Sequence, residues 1–223
     1  MKFWRSVLAI AYKDLLSEMR TRETISSVVV FALLVIVIFN FAFGGNTEQM
    51  RLVAPGILWV TFAFAGVLSL TRAFIPEKEE GCLDGLMVAP IGRDAIYVGK
   101  MLSSLVFMLV VEAIALPVFT LLFNLDVFSP ELVVVTLLAT VGFVAVGTLF
   151  SALAVNTRAR EMVLPILFLP VVVPVMIAAV SAFELALAGE SWGAMSSWLQ
   201  IIGAFDVVFL VVSYLVFGYV IEQ

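Results

Sequence analysis

The sequence predicts an all-α membrane protein with six transmembrane helices, and three observations carry that prediction. Of its 223 residues 63% are hydrophobic and 13% are charged, against about 45–50% and about 25% in ordinary soluble domains. The apolar residues gather in long runs that carry almost no charge. Those runs match the roughly 20 residues a helix needs to cross a bilayer core of about 30 Å, not the segments of about 10 alternating residues of a membrane barrel.

Residues 24–47, 52–71, 132–157 and 162–183 carry no charge; 101–125 carry only Glu112, and 191–221 only Asp206. The spans are therefore placed at about 25–43, 52–75, 96–123, 131–155, 162–183 and 198–221. No internal repeat or linker divides 1–223, so one domain is expected. The first run is longer than the core of a secretory signal, and its basic flank exceeds twenty residues; a retained helix is expected. Lys2, Arg5, Lys13, Arg20 and Arg22 precede span one. Arg72, Lys78, Arg93 and Lys100 follow span two, and Arg158 and Arg160 follow span four. Of the twelve basic residues only Arg51 falls on the other side. Cytoplasmic loops are enriched in Lys and Arg, so both termini are expected in the cytoplasm. The lone cysteine, Cys82, cannot form an intrachain disulfide.

The first 24 residues are not a span. Trp4, Val7, Leu8, Ala11, Leu15 and Met19 recur at helical spacing, with Lys13, Glu18 and Arg20 mostly elsewhere. This is the pattern of an amphipathic helix lying on the membrane surface; the alternative is a helix packed on the protein's own cytoplasmic loops. Pro165, Pro170 and Pro174 crowd span five. Each removes a backbone donor, so a kinked helix is expected there, buried where neighbours satisfy the freed carbonyls.

The motifs of enzymes are missing. Gly99-Lys100 is followed by Met101, and Asp94 stands where the first glycine of a phosphate loop belongs. There is no histidine, hence no Ser-His-Asp triad. No metal site is expected and no catalytic residue is assigned. The intramembrane acids Glu112 and Asp206 are candidates for a polar patch. Such a group costs roughly 2.5–3.5 kcal/mol at a span's centre and usually faces the bundle interior. Two readings stay open: a pathway or subunit interface, or structural hydrogen bonds to backbone freed by Pro117 or by the prolines of span five.

The segment 76–95 is long for a connection, since helix pairs need only about 2–8 residues. Between Pro76 and Pro90, Leu83, Leu86 and Met87 fall at i, i+3, i+4, while Glu80 and Asp84 share another face. A short amphipathic helix that docks a cytoplasmic partner is expected. Asp94 then fits as N-cap of span three.

Three stretches, "APGILWV", "LTRAFIPEKEEGCLDGLMVAPIGRDAIYVGK" and "LPILFLPVVVPVMIAAV", resemble the CcmB family, membrane subunits of the haem-exporter ABC transporter of cytochrome c maturation. The resemblance runs nearly end to end; the second stretch alone resembles the wider ABC-2 export class. It implies a non-enzymatic permease in a bacterial or archaeal cytoplasmic (inner) membrane. ATP and Mg would be bound by a separate CcmA-like ATPase, a second copy of the chain would be present, and no nucleic acid would be involved. It also implies that Glu79, Glu80, Gly81, Leu83, Asp84, Leu86, Met87 and Pro90 form the ATPase-coupling element. Leu83, Leu86 and Met87 would be its buried anchor; Glu79, Glu80 and Asp84 its polar rim. No cofactor is expected on the chain itself, and haem is the candidate substrate of the complex. A CcmC-like haem-handling protein and a haem chaperone would be partners, with membrane lipid around the spans. Without histidine the commonest axial haem ligand is absent, so release of a loaded chaperone is the preferred reading over haem passage. The alternatives are an ABC-2 permease for a lipid, polysaccharide or drug, and an ATP-independent scaffold.

Overall fold

Six helices long and apolar enough to cross a membrane form the body of the chain, with one amphipathic helix laid against them. The computed structural model describes residues 2–43, 47–74, 85, 91–155, 157 and 164–221. In order come α1 (Lys2–Thr21), α2 (Glu23–Phe43), α3 (Thr47–Thr71), α4 (Arg93–Phe123) and α5 (Pro130–Val155). A π-helical turn, Leu164–Phe168, leads directly into α6 (Leu169–Leu187), and α7 (Trp192–Val220) follows. No strand occurs among the described residues.

The joints have local causes. Arg22 adopts φ 55° between α1 and α2. The left-handed region costs an L-residue roughly 1–2 kcal/mol. Glu18 holds the corner: its carbonyl accepts the Arg22 N–H at 2.8 Å. Its carboxylate accepts the Ile25 N–H at 2.9 Å, satisfying a donor that the start of α2 leaves free. Asn124 ends α4 at φ 51°. Asp126 Oδ1 then accepts the Phe128 N–H at 3.0 Å, and Ser129 Oγ caps α5 by accepting the Leu132 N–H at 3.3 Å. Gly189 takes φ 77° in the turn between α6 and α7.

Two expected boundaries are corrected. The connection 184–197 shrinks to 188–191, because α6 continues to Leu187 and α7 begins at Trp192. Glu184 sits exposed on the last turns of α6, so its charge does not end the helix. Asp94 is not an N-cap. Gly92 occupies the cap position without a side-chain bond, and Asp94 Oδ2 instead accepts the Tyr214 hydroxyl of α7 at 3.0 Å.

α5 is the inner helix, with residues on every side buried. Apolar helices gain nothing by leaving lipid for one another, so association rests on close packing of small residues and on polar contacts. Gly66 on α3 admits the Phe143 ring, and Gly147 on α5 admits Leu70. Ser151 Oγ donates to the Leu70 carbonyl at 2.5 Å, and Tyr97 Oη to that of Ala145 at 3.0 Å. The main core runs from α2 to α7. A second cluster gathers one end of the bundle: Ile10, Phe74, Tyr97, Leu149, Val155 and Phe217.

α1 lies along the first turns of α4. Val7, Ile10 and Ala11 are buried, whereas Trp4, Leu8, Tyr12 and Met19 are exposed. The expected single apolar face is thus split: one side packs on a span, and the other is an exposed apolar stripe beside the exposed Arg5 and Arg20. Gly99 makes the approach close. A Cβ there would stand 2.8 Å from Ile10 Cβ and 3.1 Å from the Val7 carbonyl oxygen. Gly99→Ala is therefore expected to destabilise the docked helix by about 1–3 kcal/mol. Thermal unfolding in detergent, with limited proteolysis within α1, measures it; unchanged protection of α1 would refute the close contact.

Candidate functional site

The residues expected to couple to an ATPase, Glu79, Glu80, Gly81, Leu83, Asp84, Leu86, Met87 and Pro90, lie outside the described residues. The two stems of their segment are described. Phe74 on the first stem is buried; its ring centroid lies 6.2 Å from that of Phe217. Ile91 on the second packs against the same cluster.

Lys100 binds the first stem to the rest. Its side chain is 3% exposed. The ammonium donates to the Ala73 carbonyl at 2.9 Å, pairs with Asp14 Oδ2 of α1 at 3.1 Å, and stands 5.0 Å over the Phe74 ring. Asp14 Oδ2 also accepts from Ser103 Oγ at 3.3 Å, and Oδ1 pairs with Lys13 at 3.1 Å. One buried cation thereby joins α1, the end of α3 and α4.

Sequence reasoning counted Lys100 as a basic residue after span two and weighed it in a phosphate-loop match that failed, and it gave Asp14 no role. A signal existed for each. Asp14 continues the stripe Val7, Ile10, Ala11 at i+7, and Lys100 shares a face with Ile96, Ser103 and Phe107. A charge on an apolar stripe announces a buried partner.

The two intramembrane acids are both buried but are not brought together. Glu112 Oε1 accepts the Thr140 hydroxyl of α5 at 2.6 Å. Its described bond is thus to a side chain, not to backbone freed by a proline. Asp206 Oδ1 fills the space that a side chain at Gly142 would need. Thr140 and Gly142 are two residues apart, roughly 200° around the helix, so the acids bracket α5 from opposite sides at one level. That separation excludes a paired-carboxylate centre. Among the described residues no group of three His, Cys, Asp or Glu side chains could hold a metal ion.

Pro165 lies within the π-helical turn, Pro170 at the second position of α6, and Pro174 inside it. Phe168, closing the turn, meets Phe143 edge-on at 4.8 Å and Phe150 at 6.0 Å.

The buried ion pair generates a prediction. Removing one partner of a buried pair costs about 3–5 kcal/mol, while replacing both by apolar residues is often near neutral. Lys100→Met is expected to cost that much, and Asp14→Leu/Lys100→Met to recover most of the loss. Unfolding by SDS titration in micelles measures both; a double variant no better than the single would overturn the pairing.

The family model described as "CcmB protein" matches residues 5–223. A protein of Bradyrhizobium diazoefficiens named heme exporter protein B is 32% identical over 173 residues, 77% of this chain and 78% of that protein. The protein of that name from Rhodobacter capsulatus is 33% identical over 172 residues, 76% of this chain and 78% of its own length. The one from Pseudomonas aeruginosa is 28% identical over 193 residues, 86% of each chain. With a family match from Arg5 to the last residue, the chain belongs to the CcmB protein family.

Proposed function

We propose that this chain is the permease subunit of a haem-export complex, driven by a separate CcmA-like ATPase, and that it uses this energy to release a haem-loaded chaperone from a CcmC-like partner. The observation that carries the reading is the Lys100 joint. A partner that moved the segment between Phe74 and Ile91 would pull on the stem that Lys100 ties to α1 and α4. The resemblance of the relatives, named as haem exporters, supplies the substrate class.

Orientation follows from charge. The described basic residues lie at the α1 end of the bundle, except Arg51 near the start of α3. With cytoplasmic loops enriched in Lys and Arg, that end faces the cytoplasm of the bacterial or archaeal cell, where an ATPase is available. The outward stripe of Trp4, Leu8, Tyr12 and Met19 then rests in the lipid interface. A second copy of the chain with a second ATPase completes twelve spans.

Chaperone release is favoured over passage of haem because the sequence has no histidine, the commonest axial haem ligand. Purified subunit titrated with haem is therefore expected to show no stoichiometric Soret shift; a one-to-one shift without partners would restore direct translocation.

The coupling assignment has its own test. Leu83→Asp/Leu86→Asp places two charges in the proposed anchor, where apolar groups belong at an interface centre. The variant is expected to lose co-purification with the ATPase or stimulation of its ATP hydrolysis at least tenfold, a change equivalent to about 1.4 kcal/mol. Undiminished co-purification with full stimulated hydrolysis would remove the assignment.

A further inference from the structure

Two residues that line one cavity within the bundle each carry a buried polar atom without a hydrogen-bond partner among the described residues: the indole Nε1–H of Trp59 on α3, a donor, and Glu112 Oε2 on α4, an acceptor. Trp59 is 4% exposed and Glu112 3%. Thr140 of α5 lines the cavity too, but its hydroxyl already donates to Glu112 Oε1. The remaining walls are apolar: Phe62, Ala63, Met108, Phe143 and Met176.

An unsatisfied polar group is costly at membrane depth because no bulk water reaches it. Here two such groups of opposite kind belong to residues around one cavity, and neither has a hydrogen-bond partner among the described residues. The cavity measures about 10 Å³, at the threshold for one water. A water oxygen accepts from an indole and a water proton bonds a carboxyl oxygen, so one molecule satisfies both. A metal ion does not fit. Calcium takes six to eight oxygens, whereas among the described residues this wall offers only Glu112 and Thr140 as side-chain oxygens, and the indole N–H repels a cation.

We propose that the cavity between Trp59, Glu112 and Thr140 is a binding site for a single structural water. That water bridges the Trp59 indole to Glu112 Oε2 and, with the Thr140 bond, makes a polar joint between α3, α4 and α5. It turns Glu112 from a half-satisfied acid into one bonded through both oxygens. Phe143 closes the site from α5 and is itself held by Gly66 of α3 and Phe168 of the π-helical turn.

Solid-state NMR of the full chain in lipid nanodiscs, with ¹⁵N-indole tryptophan, tests this directly. The chain has four tryptophans, and Trp59→Phe identifies the Trp59 resonance by its loss. In the wild-type protein, magnetisation from water protons is expected to reach the Trp59 indole N–H. Glu112→Gln, which keeps an acceptor oxygen, should retain that transfer; Glu112→Leu should abolish it. Thr140→Val, which leaves Oε2 and the indole in place, should retain it. No transfer in the wild-type protein would overturn the site without reference to any variant. Transfer that persists in a folded Glu112→Leu would place the water elsewhere and overturn the bridge.

Discussion

A buried ammonium has to be satisfied where it lies, and Lys100 imposes that condition on one end of the bundle. Leaving water costs a charge several kcal/mol even after relaxation. The compensation here comes from three directions: a carboxylate on α1, a carbonyl at the end of α3 and the face of Phe74. None of the three belongs to α4. Lys100 is buried only while α1 is docked and the α3 stem is in place, so position and electrostatics fix each other. Gly99, one residue earlier, removes the side chain that would hold α1 away. The approach of α1 and the pairing of Lys100 are consequences of adjacent residues.

The rest of the bundle uses the same device of small residues making room for large or polar ones. Gly66 accepts a phenyl ring, Gly147 a leucine, and Gly142 a carboxyl group. Where hydrophobic burial does not distinguish a neighbouring helix from lipid, these close contacts decide which helices meet. α5 collects most of them, which is why polar residues on several of its faces, Thr136, Thr140, Thr148 and Ser151, are buried. Thr148 returns its hydroxyl to its own helix at Val144 O, whereas Thr140 and Ser151 reach other helices. The same residue type thus serves two ends, according to whether a neighbour offers an acceptor.

Much of this was legible in the sequence, within definite limits. Runs with at most one charge locate all six spans because lipid leaves little tolerance for error. Their ends were less legible, since a charge that reaches water does not stop a helix: Glu184 sits on α6 and Arg93 opens α4. Glu112 and Asp206 could be singled out because acids are rare at such positions. Their environments could not, because a threonine or a glycine in an apolar span is unremarkable until a second helix is placed beside it. Asp94 carried the right residue type for a cap, yet the Tyr214 hydroxyl claims it from a helix more than a hundred residues away. Lys100 and Asp14 each stood on a legible stripe, but which charge meets which is settled by tertiary packing alone.

The polar contacts follow one another along α5. At one end Lys100 holds the Ala73 carbonyl just past α3. Three residues earlier the Leu70 carbonyl accepts from Ser151 of α5. Further in, Tyr97 of α4 donates to Ala145 of α5, and beyond it Thr140 donates to Glu112. These are contacts between different helices, spaced along the bundle and surrounded by apolar packing. A hydrogen bond in such surroundings cannot exchange its partner for water without admitting water to the bundle. Sliding α5 against α3 or α4 would break several at once, with no alternative partner at hand. A displacement delivered at the Lys100 end is therefore resisted within α3, α4 and α5 together.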